Sequence, residues 1–383
     1  MKKHKMVNWQ DSMDVSASHF LQSDNFFLEA VADTAKLVIT GYSFGLLPSH
    51  TGINAYNGIR VNEHISNHIE VQLHSCDAIT RTGFRIRFNE DGSAAPIIKN
   101  YSPGEDKNIR NRDVKNWDII LAIDPFSRNT TGVLDTAETP PRHPDGEPVY
   151  SLYIMPVGDI NTMQLDSHYL TIGRLRKDGE RYVVDTNYIP PCASMMAHPE
   201  LVDYYNNFGS LFHSIEKSAK NIIGKIHERS NKAELAINID AICKDILKYI
   251  ASFYFNFRNR GRYELPITIV NYVSTLAHVC YCSLTFLNIR QKEEMLKYFY
   301  EWTDISPGTF EEMLAETLDV IYEHDNIRAI MVRCELFLKN LEELLERLSR
   351  LEFIGQHKES IVVSERSQER EKAEGTRTWS ILD

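Results

Sequence analysis

The chain has 383 residues, 43% of them hydrophobic and 25% charged, the balance of a globular protein long enough for two cores. Its formal charge of -11 argues against a nucleic-acid partner, which would call for a basic face. The cysteines at 76, 192, 243, 280, 282 and 334 form no CxxC pair and no disulfide-like spacing, so reduced, mostly buried thiols in a cytoplasmic protein are expected.

Residues 1–9 are basic but have no apolar run, so they do not read as a secretory signal. From 6 to 24 the chain is too irregular for a strand or an amphipathic helix, and it carries Trp9, Met13 and Phe20 among small polar residues. Such a segment either packs on its own domain or docks on another protein. Asp24 suits the N-cap of a helix to Lys36, with Phe27, Ala30, Val31 and Thr34 at helical spacing. Residues 37–184 then read as β. Short strands are predicted at 37–40, 68–74 and 84–88, and longer apolar ones at 117–123 and 149–157. Strands at 169–176 and 181–184 flank Lys177-Asp178-Gly179-Glu180, a hairpin signal, because Asp-Gly supplies positive φ. The stretch 126–148, rich in Thr, Pro, Asp and Gly, reads as a long loop, and the whole region as a sandwich or barrel-like domain.

Pro190-Pro191 cannot join a central ladder and marks a domain joint. Directly after it Leu201, Tyr205, Phe208, Phe212, Ile215, Ala219, Ile222 and Ile226 alternate four and three apart, a heptad seam on a helix from about 199 to 229. Further helices are expected at 239–258, from Pro266 through a stretch without charge to 289, and from the Thr309/Glu312 capping box onward to 353. The uncharged stretch is long enough for a membrane span, yet Asn271, Ser274, Thr275, His278 and Ser283 interrupt it, and burial within a bundle explains it better. Four main helices fit an antiparallel bundle. The expected organisation is α+β: a docking segment at 1–24, a β-rich shoulder at 25–192, a helical bundle at 193–354 and a disordered tail at 355–383. That tail closes on Trp379, Ile381 and Leu382, an apolar cluster suited to a docking peptide.

Chemistry finds little to work with. Gly41-Tyr42-Ser43-Phe44-Gly45 matches a nucleophile elbow, which would make the chain a serine hydrolase. Pro48 and Gly52 forbid the helix that motif needs next, so the glycines are read as serving a turn. His64 and His68 stand four apart but on strand-like sequence with no third ligand signposted. With no P-loop and no GxGxxG, no cofactor, metal or small-molecule substrate is expected.

Three stretches resemble one family. Val7-Asn8-Trp9-Gln10-Asp11-Ser12-Met13, followed by His19-Phe20-Leu21-Gln22-Ser23-Asp24, resembles the N-terminal signature of TssK, a baseplate protein of type VI secretion systems. Gly41-Tyr42-Ser43-Phe44-Gly45-Leu46 is similar to that family's Tyr-Gly-Trp-Gly-Leu element, and Tyr188-Ile189-Pro190-Pro191-Cys192 to its I-P-P-C element between shoulder and neck. Ser12 stands where the signature has glycine, and Ala17-Ser18 where it has Pro-Gln. The family's globular head after the neck has no counterpart, which points to a divergent subtype. The resemblance implies a homotrimeric, non-enzymatic adaptor in the cytoplasm at the inner membrane. Trp9, Met13, His19 and Phe20 are its candidates for contact with baseplate wedge subunits. Phe208, Phe212, Ile215 and Ala219 are candidates for the threefold axis, and the tail for a membrane-complex partner. A phage-like trimeric receptor-binding protein is the alternative, and it would need an exposed ligand-binding head.

Overall fold

Alternation along Ile69–Leu73 buries Ile69, Val71 and Leu73 and turns Glu70 and Gln72 to the other face, the pattern of a strand with one covered side. This strand, β3, lies between β2 (Ile59–Glu63) and β6 (Ile97–Tyr101) in an antiparallel sheet. A second sheet has the order β1-β4-β5, from Gly45–Leu46, Cys76–Ile79 and Arg85–Phe88. The third has the order β10-β9-β7-β8, and its centre is β7 (Asn116–Thr131). Residues 117–123 of β7 are all buried, as expected of a strand covered on both faces. It pairs with β8 (Asp145–Pro156) on one side and β9 (Tyr169–Asp178) on the other, and β10 (Arg181–Val184) closes the hairpin through Gly179 at φ +62°. These strands belong to a computed structural model that describes residues 4–48, 58–63, 68–89, 94–103, 114–158, 168–179, 181–303 and 305–358.

The chain divides into two units. The first comprises Met1–Tyr205 with two later connections, Arg260–Ile269 and Tyr322–Ile330; the second holds Asn206–Asn259, Val270–Ile321 and Met331–Asp383.

Two expectations for the first unit are corrected. Residues 37–40 are not a strand. Helix α1 (Ala17–Lys36) starts seven residues ahead of Asp24, because the His19 ring nitrogen accepts the Ser16 N–H at 3.2 Å and closes the helix start. Its far end unwinds through Leu37 and Ile39, whose N–H groups donate to Thr34 and Ala35 carbonyls, leaving those residues no ladder to join. Nor is 126–148 one long loop. After a bulge between Asp124 and Arg128, β7 resumes and pairs Arg128–Thr131 with 145–148. The Asp124 carboxylate accepts the N–H groups of Phe126 (3.0 Å) and Ser127 (3.2 Å) at that bulge. A period-two reading loses a strand there, because the bulge shifts its phase.

Among the described residues six α-helices follow the joint: α2 (Pro199–Glu228), α3 (Glu234–Arg260), α4 (Pro266–Thr285), α5 (Ile289–Thr303), α6 (Pro307–Leu318) and α7 (Ile327–Arg350). All eight seam residues of α2 are buried by the chain's own atoms. Phe212 meets Phe253 and Phe257 of α3 edge-on at 5.1 and 5.3 Å, and Phe253 stacks on Tyr272 of α4 at 4.8 Å. Consecutive helices α2, α3 and α4 run antiparallel. Helix α7 returns parallel to α2, in register over one heptad: Asn207 donates to Glu335 (2.7 Å) and, seven residues on, Ser214 donates to Glu342 (2.5 Å). Lys225 then caps the end of α7 by donating to the carbonyls of Ser349 (2.8 Å) and Leu351 (2.5 Å). The seam is therefore saturated inside one chain, which leaves Phe208, Phe212, Ile215 and Ala219 no surface for a threefold axis.

Helix α4 is long and apolar enough to cross a membrane by length and composition, and 44% of its most apolar stretch is buried, including Ile269, Val273 and Leu276 at 4- and 3-residue steps. One flank packs as expected; the other is open. Among the described cysteines none is paired, and burial pushes the thiols of Cys76, Cys280 and Cys334 up to about 12, far from thiolate chemistry at neutral pH.

The N-terminus of α2 carries a pH-sensitive cap. His198 Nδ1 accepts the Glu200 N–H at 3.2 Å, and Glu200 in turn takes both Arg328 N–H groups, at 3.1 and 3.0 Å. Burial, with the Arg328 charge adding to it, holds His198 down to about 4. A depressed histidine contributes stability that is complete above the unfolded value near 6.5 and is lost as pH falls toward 4. Going from pH 7.5 to pH 5 should cost about 2 kcal/mol from this residue, the shift converted at about 1.4 kcal/mol per pH unit. His198→Asn keeps a capping acceptor without titrating. Urea melts at both pH values should therefore show a smaller acid loss in His198→Asn, and an equal loss would remove the role of His198.

Candidate docking surface

Helix α1 carries Phe20, Leu21, Phe27, Leu28 and Val31 at 7- and 4-residue steps, the spacing of an apolar helical face. Such a face normally turns to the core. Here Ala32 is the helix's one buried residue, while Phe27 and Val31 are 61% and 70% exposed. Contiguous apolar surface of this kind marks an interaction site more often than chance exposure.

The segment before the helix is folded back along it. The His4 N–H donates to Glu29 (2.6 Å), Gln22 donates to the Lys5 carbonyl (3.1 Å), and the His4 ring lies 4.4 Å from Phe126. Trp9 returns over the start of α1, 6.2 Å from the His19 ring and 6.1 Å from Phe20. Three of the four proposed contact residues thus form one cluster. Trp9 and Phe20 are exposed, 50% and 59%, whereas Met13 and His19 are half-buried. Ser12 holds φ +63°, in the left-handed region that favours glycine, which is what the resembled signature carries at this position.

Beyond the cluster, α1 and the first unit's strands enclose an open groove of about 630 Å³. Phe27, Leu28 and Val31 form one wall; Phe84, Ile123 and Pro148 form the other. An Asp24–Arg128 pair at 3.2 Å ties helix to strand at the rim.

The two motifs flanking the shoulder meet. Gly45, at φ +115°, lies so close to the chain's later turn that a Cβ there would sit 2.1 Å from the Pro191 carbonyl oxygen. Leu46 donates to Pro191 and accepts from Ala193, both at 2.8 Å, making a parallel bridge to Cys192. Phe44 is held from the other side: Arg81 lies over its ring at 4.4 Å, and His324 Nε2 donates to its carbonyl at 2.8 Å. That fixes the neutral tautomer whose Nδ1 accepts from Tyr322, and burial lowers the pKa of His324. Ser43, the elbow candidate, accepts the Thr40 N–H at 2.7 Å and donates to the Val38 carbonyl at 3.4 Å. This is a local turn leading into the two-residue β1, not a strand-to-helix elbow. His68 bonds Ser102, while His64 lies outside the described residues. Among the described residues no group of three or more His, Cys, Asp or Glu is placed to hold a metal.

No protein-family model and no curated protein matches the sequence. Solved structures do. A crystal structure of TssK superposes with a TM-score of 0.54 at 14% identity, over 89% of this chain and 69% of that one. A chain of the type VI secretion TssK-TssF-TssG baseplate subcomplex gives 0.51 at 13%, over 89% and 99%. A chain of the type VI secretion baseplate complex gives 0.51 at 16%, over 90% and 100%. The chain has the TssK fold.

Within the TssK fold, the stretches that carried the resemblance all lie in the first unit. Two of them are bonded to each other at the Leu46–Cys192 bridge. Phe27, Leu28 and Val31 escaped the sequence reading as surface residues, because a 3- and 4-residue apolar step looks alike whether it faces a core or solvent. Phe20 and Phe27, one heptad apart, continue the stripe into the N-terminal segment, and that continuity was the available signal. Trp379, Ile381 and Leu382 lie outside the described residues.

Proposed function

We propose that this chain is a non-enzymatic structural component of a type VI secretion baseplate. Its N-terminal segment and the first half of α1 dock on other baseplate subunits, of the kind that TssF and TssG represent in the TssK-TssF-TssG subcomplex. The observation that carries this reading is the exposed cluster of Trp9 and Phe20 on a helix that buries only Ala32, in a chain of TssK fold. Aromatic anchors that enter a partner's pocket dominate interface energy. The chain acts as a homotrimer on the cytoplasmic side of the inner membrane. Because the α2 seam is saturated, copies meet through surface outside it. The tail residues Trp379, Ile381 and Leu382 contribute the link to a membrane-side protein.

Trp9→Ala and Phe20→Ala together should abolish co-purification with co-expressed TssF- and TssG-like subunits, with thermal stability unchanged. A drop in melting temperature with capture retained would mean that both rings pack on their own unit. In the same assay, removing 359–383 should leave that capture intact but lose membrane-side partners. The cut belongs after Lys358, since the Gly355 N–H donates to Tyr298 (3.1 Å) and His357 meets Glu301 (2.7 Å).

A further inference from the structure

At the β7 bulge Asp124 pairs with Val149 and Arg128 with Pro148, which leaves Pro125, Phe126 and Ser127 outside the β7–β8 ladder. Pro125 has no N–H to give a ladder, and those of Phe126 and Ser127 go to the Asp124 carboxylate. Bulges re-aim side chains, and the one re-aimed here is Phe126. Its ring stands edge-on to Phe84 at 5.8 Å and to His168 at 6.4 Å. It also meets the His4 ring of the N-terminal segment at 4.4 Å.

That segment gains little from burial. Among residues 4–16, His4, Val7 and Met13 are half-buried and the rest are exposed. Fixing each residue costs conformational entropy, so such a segment is ordered only where it is tied. One tie is the start of α1, where the Ser16 N–H donates to the His19 ring. The other is at His4 and Lys5, where three contacts converge: the His4 ring on Phe126, the His4 N–H to Glu29, and the Lys5 carbonyl accepting from Gln22. Trp9 lies between the two ties, so the placement of its ring beside His19 and Phe20 depends on both.

We propose that the β7 bulge is a clasp for the docking segment, and that Phe126 is its positioning residue. The clasp holds residues 4–16 in the conformation the partner binds, so their ordering cost is met before the partner arrives. Preorganisation of this kind raises affinity without any new contact to the partner. Glu29 and Gln22 make the same clasp from α1, which ties the segment to the helix that carries Phe20. The inference rests on the docking role proposed above and adds to it a strand residue that need not touch the partner.

Phe126→Ala opens the clasp and leaves the segment's own sequence untouched. In the full chain without partners, trypsin should then cut after Lys5 about tenfold faster, because the carbonyl of that bond is the one Gln22 holds. The fragment that starts at Met6 identifies the cut by its mass. Affinity for purified TssF- and TssG-like subunits should fall about tenfold, and Phe126→Tyr, which keeps the ring, should restore both readings. Since Phe126→Ala also leaves a gap beside Phe84, His4→Ala removes the same contact from the segment's side, where folding is not at stake. It should weaken binding by the same factor, and the double variant should bind no worse than either single one. Unchanged cutting, or faster cutting with unchanged affinity, would overturn the positioning role. Losses that multiply in the double variant would also overturn it, because one of the two rings would then touch the partner itself. Each of these results leaves the docking reading standing. Undiminished capture by Trp9→Ala with Phe20→Ala would instead overturn that reading and this inference with it.

Discussion

Phe212→Asp is expected to unfold the second unit and not to release folded monomers. Phe212 is 0% exposed within a single chain and stands edge-on to Phe253 and Phe257. Removing the ring alone costs about 3–5 kcal/mol in lost burial and cavity. A carboxylate left among aromatic rings adds several more, either as desolvated charge or as the work of protonating it. The sum is comparable with the whole stability of a typical domain, about 5–15 kcal/mol. Phe212→Leu keeps an apolar side chain at the same place and should cost only about 1–2 kcal/mol. Circular dichroism and size-exclusion of the two variants make the comparison. If Phe212→Asp purifies as a monomer of native helix content, the ring must meet another copy and the internal packing of the seam is wrong.

Gly45→Ala should be nearly as damaging, while Gly41→Ala, in the same short motif, should be close to neutral. A methyl at Gly45 would meet the Pro191 carbonyl oxygen at 2.1 Å, with the Pro191 carbon and Cys192 nitrogen close behind at 2.3 and 2.7 Å. All three are backbone atoms and cannot swing away. The φ of +115° adds strain for any residue with a Cβ. Relieving the clash means breaking the Leu46–Pro191 and Leu46–Ala193 hydrogen bonds, so the loss should exceed about 3 kcal/mol. At Gly41 nothing lies within 4 Å of the added methyl. Urea melts of the two variants read the difference; equal losses would mean that the approach of Gly45 to Pro191 is not native.

The sequence was informative where one period repeated without interruption. The Leu201–Ile226 heptads define a buried helical seam, and all eight residues are covered. The apolar run 117–123 is the middle of the central strand β7. The Lys177-Asp178-Gly179 turn joins β9 to β10. In each case the local pattern and the tertiary environment ask for the same residues, so reading one is reading the other.

Where the period broke or the partner was distant, only the tertiary structure decided. The Asp124–Arg128 bulge hid the outer half of β7 and β8, since one phase shift turns a strand into an apparent loop. The role of Gly45 is set by Pro191, nearly 150 residues away, and so no turn rule applied to Gly41–Gly45 could supply it. The seam of α2 could not say whether α3 and α7 or a second copy would cover it, because burial is a property of neighbours and not of spacing. For the same reason Phe27 and Val31 of α1, at helical spacing in the sequence, could as well have faced a core, and they lie on an exposed face in the fold. Amphipathic spacing tells which residues share a face; the distance of the rest of the chain from that face determines whether it becomes core or interface.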